Sequence, residues 1–386
     1  MKKNLFGWLA MAAMLVGTGC STDEVVNDYS PENAIQFGTY VGRDAQSRVA
    51  ETDLREVKKD GFGVFANYTN GGTGLIPNFM NNQSVTWNDG ENVWKYSPIK
   101  YWPNTKDAKV SFWAYSPYCA TDWDKDASAP FFTISDGTDY VVAHTTSQKQ
   151  GVNDNIKFTF GHIMSKVGFK VEAIIDEIEN EEGDSKTPVN GNPDENSDLT
   201  NNDIPSETNI VVTDVQLVGK LDKTGTMTGT NNGWEMEVDN NTDEDITYTL
   251  NHTNFENTGY HACGYNATNN EYTYLPGQLA TKDKAQLNND DSYFMFLPQT
   301  ADFTITIKYN VITGDAGLAT KYSNVQNTVV AEVKSFPFES GNAYNFVLQL
   351  GLTAVKLSAE VDGWGTASDR YVNVPLNEAT TVTPAP

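Results

Sequence analysis

One cysteine near the start of the chain has the surroundings that lipid attachment requires. Cys20 follows two small residues and an apolar run over residues 5–16 that two lysines precede. The run is too short to cross a bilayer with margin, which is typical of a cleaved export signal. These features predict a lipoprotein signal over residues 1–19, with the Cys20 thiol as the acylated group of the new first residue. Gly17 lies three residues before the cysteine, where lipoprotein signals usually have leucine. An ordinary secretory signal with an incidental cysteine is therefore the alternative.

Three aspartates at alternate positions could begin a calcium-binding loop. Asp122, Asp124 and Asp126 have the spacing of the first ligands of such a loop. Ala127 stands where the loop needs glycine, and Thr133 stands where it needs a bidentate acid. We therefore treat the three aspartates as weak calcium candidates and expect neither a metal nor a cofactor.

Catalytic signatures do not emerge from the remaining reactive residues. The four histidines form no zinc pair or nucleophile motif, and the chain has no phosphate-binding glycine loop. Two cysteines remain after lipidation, Cys119 and Cys263, which are far apart in sequence. We expect two buried free thiols, with a single bridge as the alternative. The sequence therefore predicts a protein that is not an enzyme.

An aromatic cluster in the first third of the chain could supply stacking platforms for a sugar. The alternative is that these residues fill a β core. Strand alternation over 109–115 places Phe112 and Trp113 on opposite faces, which favours the structural role. The cluster consists of Trp87, Trp94, Tyr96, Tyr101, Trp102, Trp113, Tyr115, Tyr118 and Trp123.

Charge excludes one class of partner. The chain has 51 acidic residues against 26 lysines and arginines, which gives a net charge of −25. Such a surface repels nucleic acid and suits a soluble exported protein, so we expect no nucleic-acid partner.

Strands are the elements that must position these residues. Apolar and polar residues alternate with period two along many short segments, for example residues 303–309 and 355–361. Gly, Asn, Asp and Pro clusters separate the segments and favour turns. The pattern predicts an all-β chain of two tandem β-sandwiches, with no convincing amphipathic helix.

The chain divides into five parts on this basis. A signal (1–19) and a tether (20–33) precede an N-terminal sandwich (34–155), a C-terminal sandwich (156–365) and a tail (366–386). Within the second sandwich, residues 176–209 are acidic and poor in apolar side chains. We interpret them as a mobile loop, with a cation or partner site as the alternative.

Several segments together give the chain a resemblance to a known family. They are the lipoprotein start at Cys20, then AIQFGTYVGRDAQSRVA, GFGVFANYT, NFMNNQSVTW, WKYSPIKYWPN, VSFWAYSPY, FTFGHIMSKVGFKVE and FPFESGNAYNFVLQLGLTAVKLSAEVDGW. In this order the chain resembles the fimbrillin family of Bacteroidota, the type V pilins, including the Mfa-like branch. The resemblance implies transthyretin-like Greek-key sandwiches, outer-membrane export as a lipoprotein, proteolytic removal of an N-terminal strand, and polymerisation by strand donation.

The arginines bear on the processing that this resemblance implies. Arg43, Arg48 and Arg55 lie just downstream of a candidate first strand over residues 34–41, and the fourth arginine is Arg370. An arginine-specific protease would release that strand. We favour Arg48 as the site, followed by Arg43 and Arg55; the alternative is that the three merely decorate an exposed segment.

The tail could supply the donated strand. Val372, Val374 and Leu376 would face one side of it, while Pro375 lacks the N–H that a central position needs. The resemblance leads us to expect a structural pilin subunit of a fimbria at the outer membrane, with other pilin subunits as partners and a host or bacterial surface ligand for adhesion. The alternative is a surface lipoprotein that binds glycans and does not polymerise.

Overall fold

The computed structural model describes residues 33–41, 54–69, 75–105, 107–120, 129–149, 155–174, 208–239, 243–351, 355–363, 369–370 and 382–384. In chain order its elements are β1 (Phe37–Val41), α1 (Leu54–Asp60), β2 (Phe62–Thr69), β3 (Leu75–Asn88), β4 (Val93–Tyr96), β5 (Lys109–Ser116), β6 (Phe131–Ser135), β7 (Val141–Gln148), β8 (Ile156–His162), β9 (Ser165–Ala173), β10 (Thr208–Gly219), β11 (Thr224–Thr230), β12 (Gly233–Val238), β13 (Ile246–Asn251), a 3-10 turn (His252–Asn254), β14 (Gly259–Asn266), β15 (Glu271–Leu279), β16 (Ala285–Gln286), β17 (Phe294–Phe296), β18 (Gln299–Gly314), β19 (Tyr322–Phe338), β20 (Asn342–Leu350), β21 (Val355–Gly363), β22 (Asp369–Arg370) and β23 (Val382–Pro384). The all-β class predicted from period-two alternation is confirmed.

Seven strands form the first sheet, in the order β1-β8-β7-β5-β2-β3-β4. β1 runs parallel to β8 over five residue pairs, and the other neighbours in the sheet are antiparallel. Side chains from all seven strands and from α1 meet in one core, in which Phe62, Phe112 and Phe158 are at most 1% exposed. The sheet therefore curls around its own apolar face.

The position of β8 differs from the boundary predicted between residues 155 and 156. β8 lies beyond that boundary, yet it pairs with β1 and β7 in the first sheet. Only Ile163 and Met164 separate β8 from β9, and they are 7% and 0% exposed. Alternation within a strand carries no information on its pairing partner, which is why the local pattern could not place this crossing.

Two further sheets pack face to face in the second half of the chain. One has the order β14-β15-β10-β18-β19-β23, with β13 also on β10; the other has the order β16-β9-β20-β21-β22, with β17 also on β9. Their inner faces share one core, to which Phe169, Ile307 and Phe346 contribute buried side chains. Of the predicted acidic loop, only Thr208 and Asn209 are described, and they belong to β10.

A third core joins the two halves of the chain. β6 pairs with β11 of the second half, and β12 completes this three-stranded sheet. The indole N–H of Trp113 donates to the Thr230 carbonyl at 2.9 Å, and that of Trp234 donates to the Ala143 carbonyl at 3.1 Å. β5 is therefore buried on both faces, with Phe112 in the first core and Trp113 in this one, as the alternation predicted.

One short helix was not predicted. α1 has seven residues and buries one of them, Val57, completely in the first core. It ends at Asp60, and Gly61 follows it as a left-handed C-terminal cap, with a φ of +70° and an N–H that donates to the Val57 carbonyl. A helix of this length shows little periodicity in sequence and depends on tertiary packing. Within the described ranges, no helix has the length and apolar character to span a membrane.

Candidate functional site at the first strand

The first strand is anchored on one side by a parallel ladder. β1 pairs with β8 from Phe37 opposite Ile156 to Val41 opposite Phe160. Just ahead of the strand, the Ile156 amide donates to the Gln36 carbonyl at 2.8 Å. Because β1 ends the sheet, its second edge forms no ladder with another strand of the described residues.

Two apolar side chains fasten the same segment to the first core. Ile35 is 1% exposed and Phe37 is 5% exposed. The Phe37 ring stacks on Phe158 with centroids 5.5 Å apart and packs against three more rings, those of Phe62, Tyr96 and Phe112, at 5.3–6.1 Å. The first strand is therefore part of the core although it lies at the edge of the sheet.

The free edge of β1 faces β4, the strand at the other end of the sheet. At one end of this seam the chain closes the gap, since the Ile35 amide donates to the Lys100 carbonyl at 2.9 Å and the Tyr96 hydroxyl donates to the Ile35 carbonyl at 2.8 Å. Burial raises the pKa of Tyr96 to about 12, so this hydroxyl keeps its proton at neutral pH. Further along, the Trp94 indole N–H donates to the Thr39 hydroxyl at 3.0 Å.

Between these contacts lies a cavity of about 700 Å³, which we call the β1–β4 slot. One wall comes from β1, the other from β4, and α1 covers one end. Its lining is mainly apolar and aromatic, and Val93 and Ile99 at its rim are 42% and 46% exposed. The apolar and aromatic lining residues are Ala34, Ile35, Phe37, Leu54, Trp87, Val93, Trp94, Tyr96, Ile99 and Tyr101; the polar ones are Gln36, Thr39, Lys58, Asn92, Lys95 and Asn155, together with Gly38.

Of the three predicted cleavage arginines, only Arg55 lies within the described residues. It is exposed and stands in the first turn of α1. A protease that binds its substrate in an extended form would have to unwind this turn first. Arg43 and Arg48 lie outside the described ranges, as does Cys20.

Most of the other predicted site residues lie outside the part of the chain that the structure describes. Asp122, Asp124 and Asp126 and the tail residues Val372, Val374 and Leu376 lie outside the described residues. Arg370 belongs to β22, which pairs with β21. Within the portion of the chain that the structure covers, no cluster of His, Cys, Asp and Glu could hold a metal ion.

Half of the eight described residues of the aromatic cluster are core, and Trp123 lies outside the described residues. Tyr96, Trp102, Trp113 and Tyr115 are at most 9% exposed. Burial raises the pKa of Tyr115, whose hydroxyl donates to the carbonyl of Cys119 at 2.9 Å. The cluster members Trp87, Trp94, Tyr101 and Tyr118 are only half-buried, and the first three line the slot. Among the described residues, neither Cys119 nor Cys263 forms a disulfide; of the two thiols expected to be buried, Cys263 is buried and Cys119 is only half-buried.

Sequence reasoning missed the slot itself. The slot exists because residues 33–35 meet residues 100–102, where Ala34 forms an isolated bridge with Tyr101. No local signal marks this contact. The exposed valine and isoleucine close to two tryptophans in residues 87–99 are the one pattern that could have indicated an open apolar surface.

Comparisons with known proteins agree with this architecture. Residues 47–364 match the model of a family described as fimbrillin-like. A fimbrial protein from Bacteroides vulgatus is 21% identical with a TM-score of 0.58, and the alignment covers 86% of this chain and 100% of that one. Proteins described as proposed cell adhesion proteins from Bacteroides uniformis and Bacteroides ovatus are 14% and 13% identical, with TM-scores of 0.44 and 0.45, over 86% and 87% of this chain and 99% of each of theirs. A comparison with curated proteins finds no match.

The likeness to the Bacteroides vulgatus structure supports the fold. The family match spans most of the chain. It covers every strand described above except β1 and the two short strands of the tail, β22 and β23. The chain therefore belongs to the fimbrillin-like family.

Proposed function

We propose that the chain is the precursor of a structural subunit of a cell-surface fimbria, which joins other pilin subunits by strand donation and supports adhesion. It is exported as a lipoprotein, and acyl chains on Cys20 hold it at the outer membrane, since each buried methylene contributes about 0.8 kcal/mol. The function is mechanical, and no catalytic residue is assigned. The tether over residues 20–33 leads to the two sandwich units, which meet at Ile163 and Met164.

A single observation supports this proposal most strongly: β1 is both part of the core and placed so that it can leave. It ends its sheet, it is held by one ladder of five residue pairs, and its second edge faces an open slot. Burial of Ile35 and Phe37 contributes about 1.5–3 kcal/mol each. Removal of the strand would therefore leave an apolar groove with unpaired β8 backbone groups, which a strand from another subunit could fill.

Processing between β1 and α1 would release the strand. We keep Arg48 as the favoured site and Arg43 as the second, because both precede α1 and follow β1 in the sequence. Arg55 ranks last, since it lies inside the helix and α1 would have to unwind. Cleavage at any of the three separates β1 from the remainder of the first sheet.

The tail is the proposed donor. Val372, Val374 and Leu376 present alternate apolar side chains that could replace those lost with β1. Tail residues already form a ladder in the monomer, where β23 pairs with Asn327–Val329 on the edge of β19. This supports the view that the tail adds readily to an exposed strand edge.

Mass spectrometry of both ends of the subunit in purified fibres tests the proposal. We expect an N-terminus directly after Arg48 and an intact tail. Arg48→Ala should reduce detergent-resistant ladders on gels, and Arg370→Ala is the matched control that should leave them unchanged. Fibres whose subunits begin at Cys20 and retain β1 would refute strand release.

Two further measurements address the lipid and the alternative function. Cys20→Ala should abolish incorporation of labelled fatty acid and should free the protein from the membrane fraction. A stable monomer that binds glycans, and that does not polymerise after arginine-specific proteolysis, would favour the glycan-binding alternative.

A further inference from the structure

We infer that the β1–β4 slot binds a small organic anion with an apolar, ring-bearing body. The cavity of about 700 Å³ falls within the range of roughly 300–1,000 Å³ that is typical of small-molecule sites. It combines an apolar lining with a few polar groups, which is also typical of such sites. Neither the family nor the fibre proposed above requires a ligand here.

The charge of the slot points to an anion. The chain carries a net charge of −25, yet the residues that line the slot include two lysines and no acid. Lys95 forms an ion pair with Glu91 and is thereby largely neutralised. Lys58 forms no ion pair with any carboxylate that the structure describes, and it is the slot lysine that we assign to the ligand.

The position of Lys58 is fixed by an aromatic ring. Its ammonium group lies 3.8 Å from the centroid of the Trp87 ring, a cation–π contact. The Trp87 ring in turn packs edge-on against Trp94 with centroids 5.1 Å apart. The Lys58 ammonium group therefore lies at the end of α1 beside the Trp87 and Trp94 rings. A ligand with a carboxylate or sulfonate attached to a ring system would place its anion near the lysine and its rings near the tryptophans.

The body of the ligand would replace water on exposed apolar side chains. Val93 and Ile99 are 42% and 46% exposed at the rim, although both are apolar. A flat ring system inserted between β1 and β4 would cover them and lie against Trp94. A highly hydroxylated sugar would leave much of this aliphatic surface without a suitable partner, which is why we assign an amphipathic anion.

Two dyes that differ mainly in charge test this assignment. 8-Anilinonaphthalene-1-sulfonate is an aromatic monoanion, and N-phenyl-1-naphthylamine is its neutral analogue. Fluorescence titration uses the full chain carrying Cys20→Ser, so that neither dye partitions into lipid. We expect one anionic dye per chain, bound more tightly than the neutral dye.

Charge variants then locate the site. Lys58→Gln should weaken binding of the anionic dye by about fivefold or more, because it removes the charge-assisted contact, and should change the neutral dye less than twofold. Lys220→Gln, at an exposed lysine outside the slot, is the control. Val93→Asp should weaken the anionic dye similarly; Val330→Asp on β19 is its matched control, since both valines are 42% exposed.

The outcomes are decisive in both directions. Equal affinity for the two dyes, a parallel loss of both dyes in Lys58→Gln, or equal effects of the slot and control variants would overturn the inference. Absence of binding, as in a slot already filled by the chain itself, would also overturn it.

Resting on the proposed function, the inference has one consequence for assembly. Because β1 forms one wall, a ligand in the slot binds only while β1 is seated, and anionic dye at about 100 times its Kd should slow loss of the cleaved strand about 100-fold. Chromatography after arginine-specific proteolysis measures that loss. If the cleaved strand never dissociates, the proposed function fails while the dye titrations still decide the binding site.

Discussion

Phe37→Ala provides the sharpest test of how the first strand is held. Phe37 is 5% exposed and touches four aromatic rings at centroid distances of 5.3–6.1 Å. Truncation of a buried phenylalanine to alanine costs about 3–5 kcal/mol. Because β1 lies at the edge of its sheet, we expect the loss to appear mainly as local opening of this strand, whose population rises by a factor of about 100 or more.

Amide hydrogen exchange on β8 measures this opening. The Ile156 amide donates to the Gln36 carbonyl, and β8 pairs with β1 along residues 156–160. In Phe37→Ala these β8 amides should exchange much faster, while amides of β9 and β20 stay protected. Phe294→Ala is the control, since Phe294 packs in the core of the second half; it should lower protection there and leave β8 unchanged.

Unchanged exchange on β8 in Phe37→Ala would refute the seating of β1 described here. A uniform loss of protection across both halves would refute a different step, namely that β1 opens independently of the rest. If processing removes β1 as we propose, the mature subunit lacks Phe37, and Phe37→Ala in the precursor should leave the stability of the mature subunit unchanged.

Three further predictions concern the scaffold. Gly63→Ala should destabilise the fold by about 1–3 kcal/mol in urea unfolding, because the added Cβ would lie 2.3 Å from the Tyr115 ring, whereas Gly161→Ala, where the space is open, should be nearly neutral. Trp234→Phe removes an indole donor from two buried carbonyls and should cost about 1–3 kcal/mol, measured in the same way. Burial opposes ionisation of Glu360, but hydrogen bonds from two lysines outweigh it and lower the pKa below the ordinary 4.5. Its contribution to stability is therefore present above pH 4.5 and is lost as the pH falls through the lowered folded-state pKa; Glu360→Gln should flatten that part of the stability profile, and an unchanged profile would refute the assignment.

Local alternation predicted the strands well because each side chain's face depends only on its position within the strand. Phe112 and Trp113 illustrate this, since they enter different cores as expected. The same pattern could not show that both faces of β5 are buried. The cover on its second face includes Trp234, which is more than a hundred positions away, and no pattern within β5 reports on so distant a partner.

Pairing partners and the candidate site were harder to predict for the same reason. β8 falls on the second-sandwich side of the predicted boundary, yet it pairs in the first sheet; only two residues separate it from β9, and its own alternation does not identify the strands beside it. The slot depends on contact between residues 33–35 and 100–102. The sequence ranked Arg55 among the cleavage candidates behind Arg48, and only the structure shows that it lies in a helix, α1, which packs on the first core through Val57.

The separation of the cores explains how a subunit could lose a strand and still remain folded. Ile35 and Phe37 belong to the first core alone, whereas the core between the halves is built from residues such as Trp113, Phe132 and Met164. Departure of β1 would expose one apolar groove, while the indole hydrogen bonds and the β6–β11 ladder between the halves would remain. The newly exposed surface would be confined to that groove. The free energy gained when a strand fills the groove would therefore stabilise the bound strand, and none of it would be needed to refold the subunit. A strand from a neighbour that restores the contacts of Ile35 and Phe37 would therefore bind to a scaffold that is already in place.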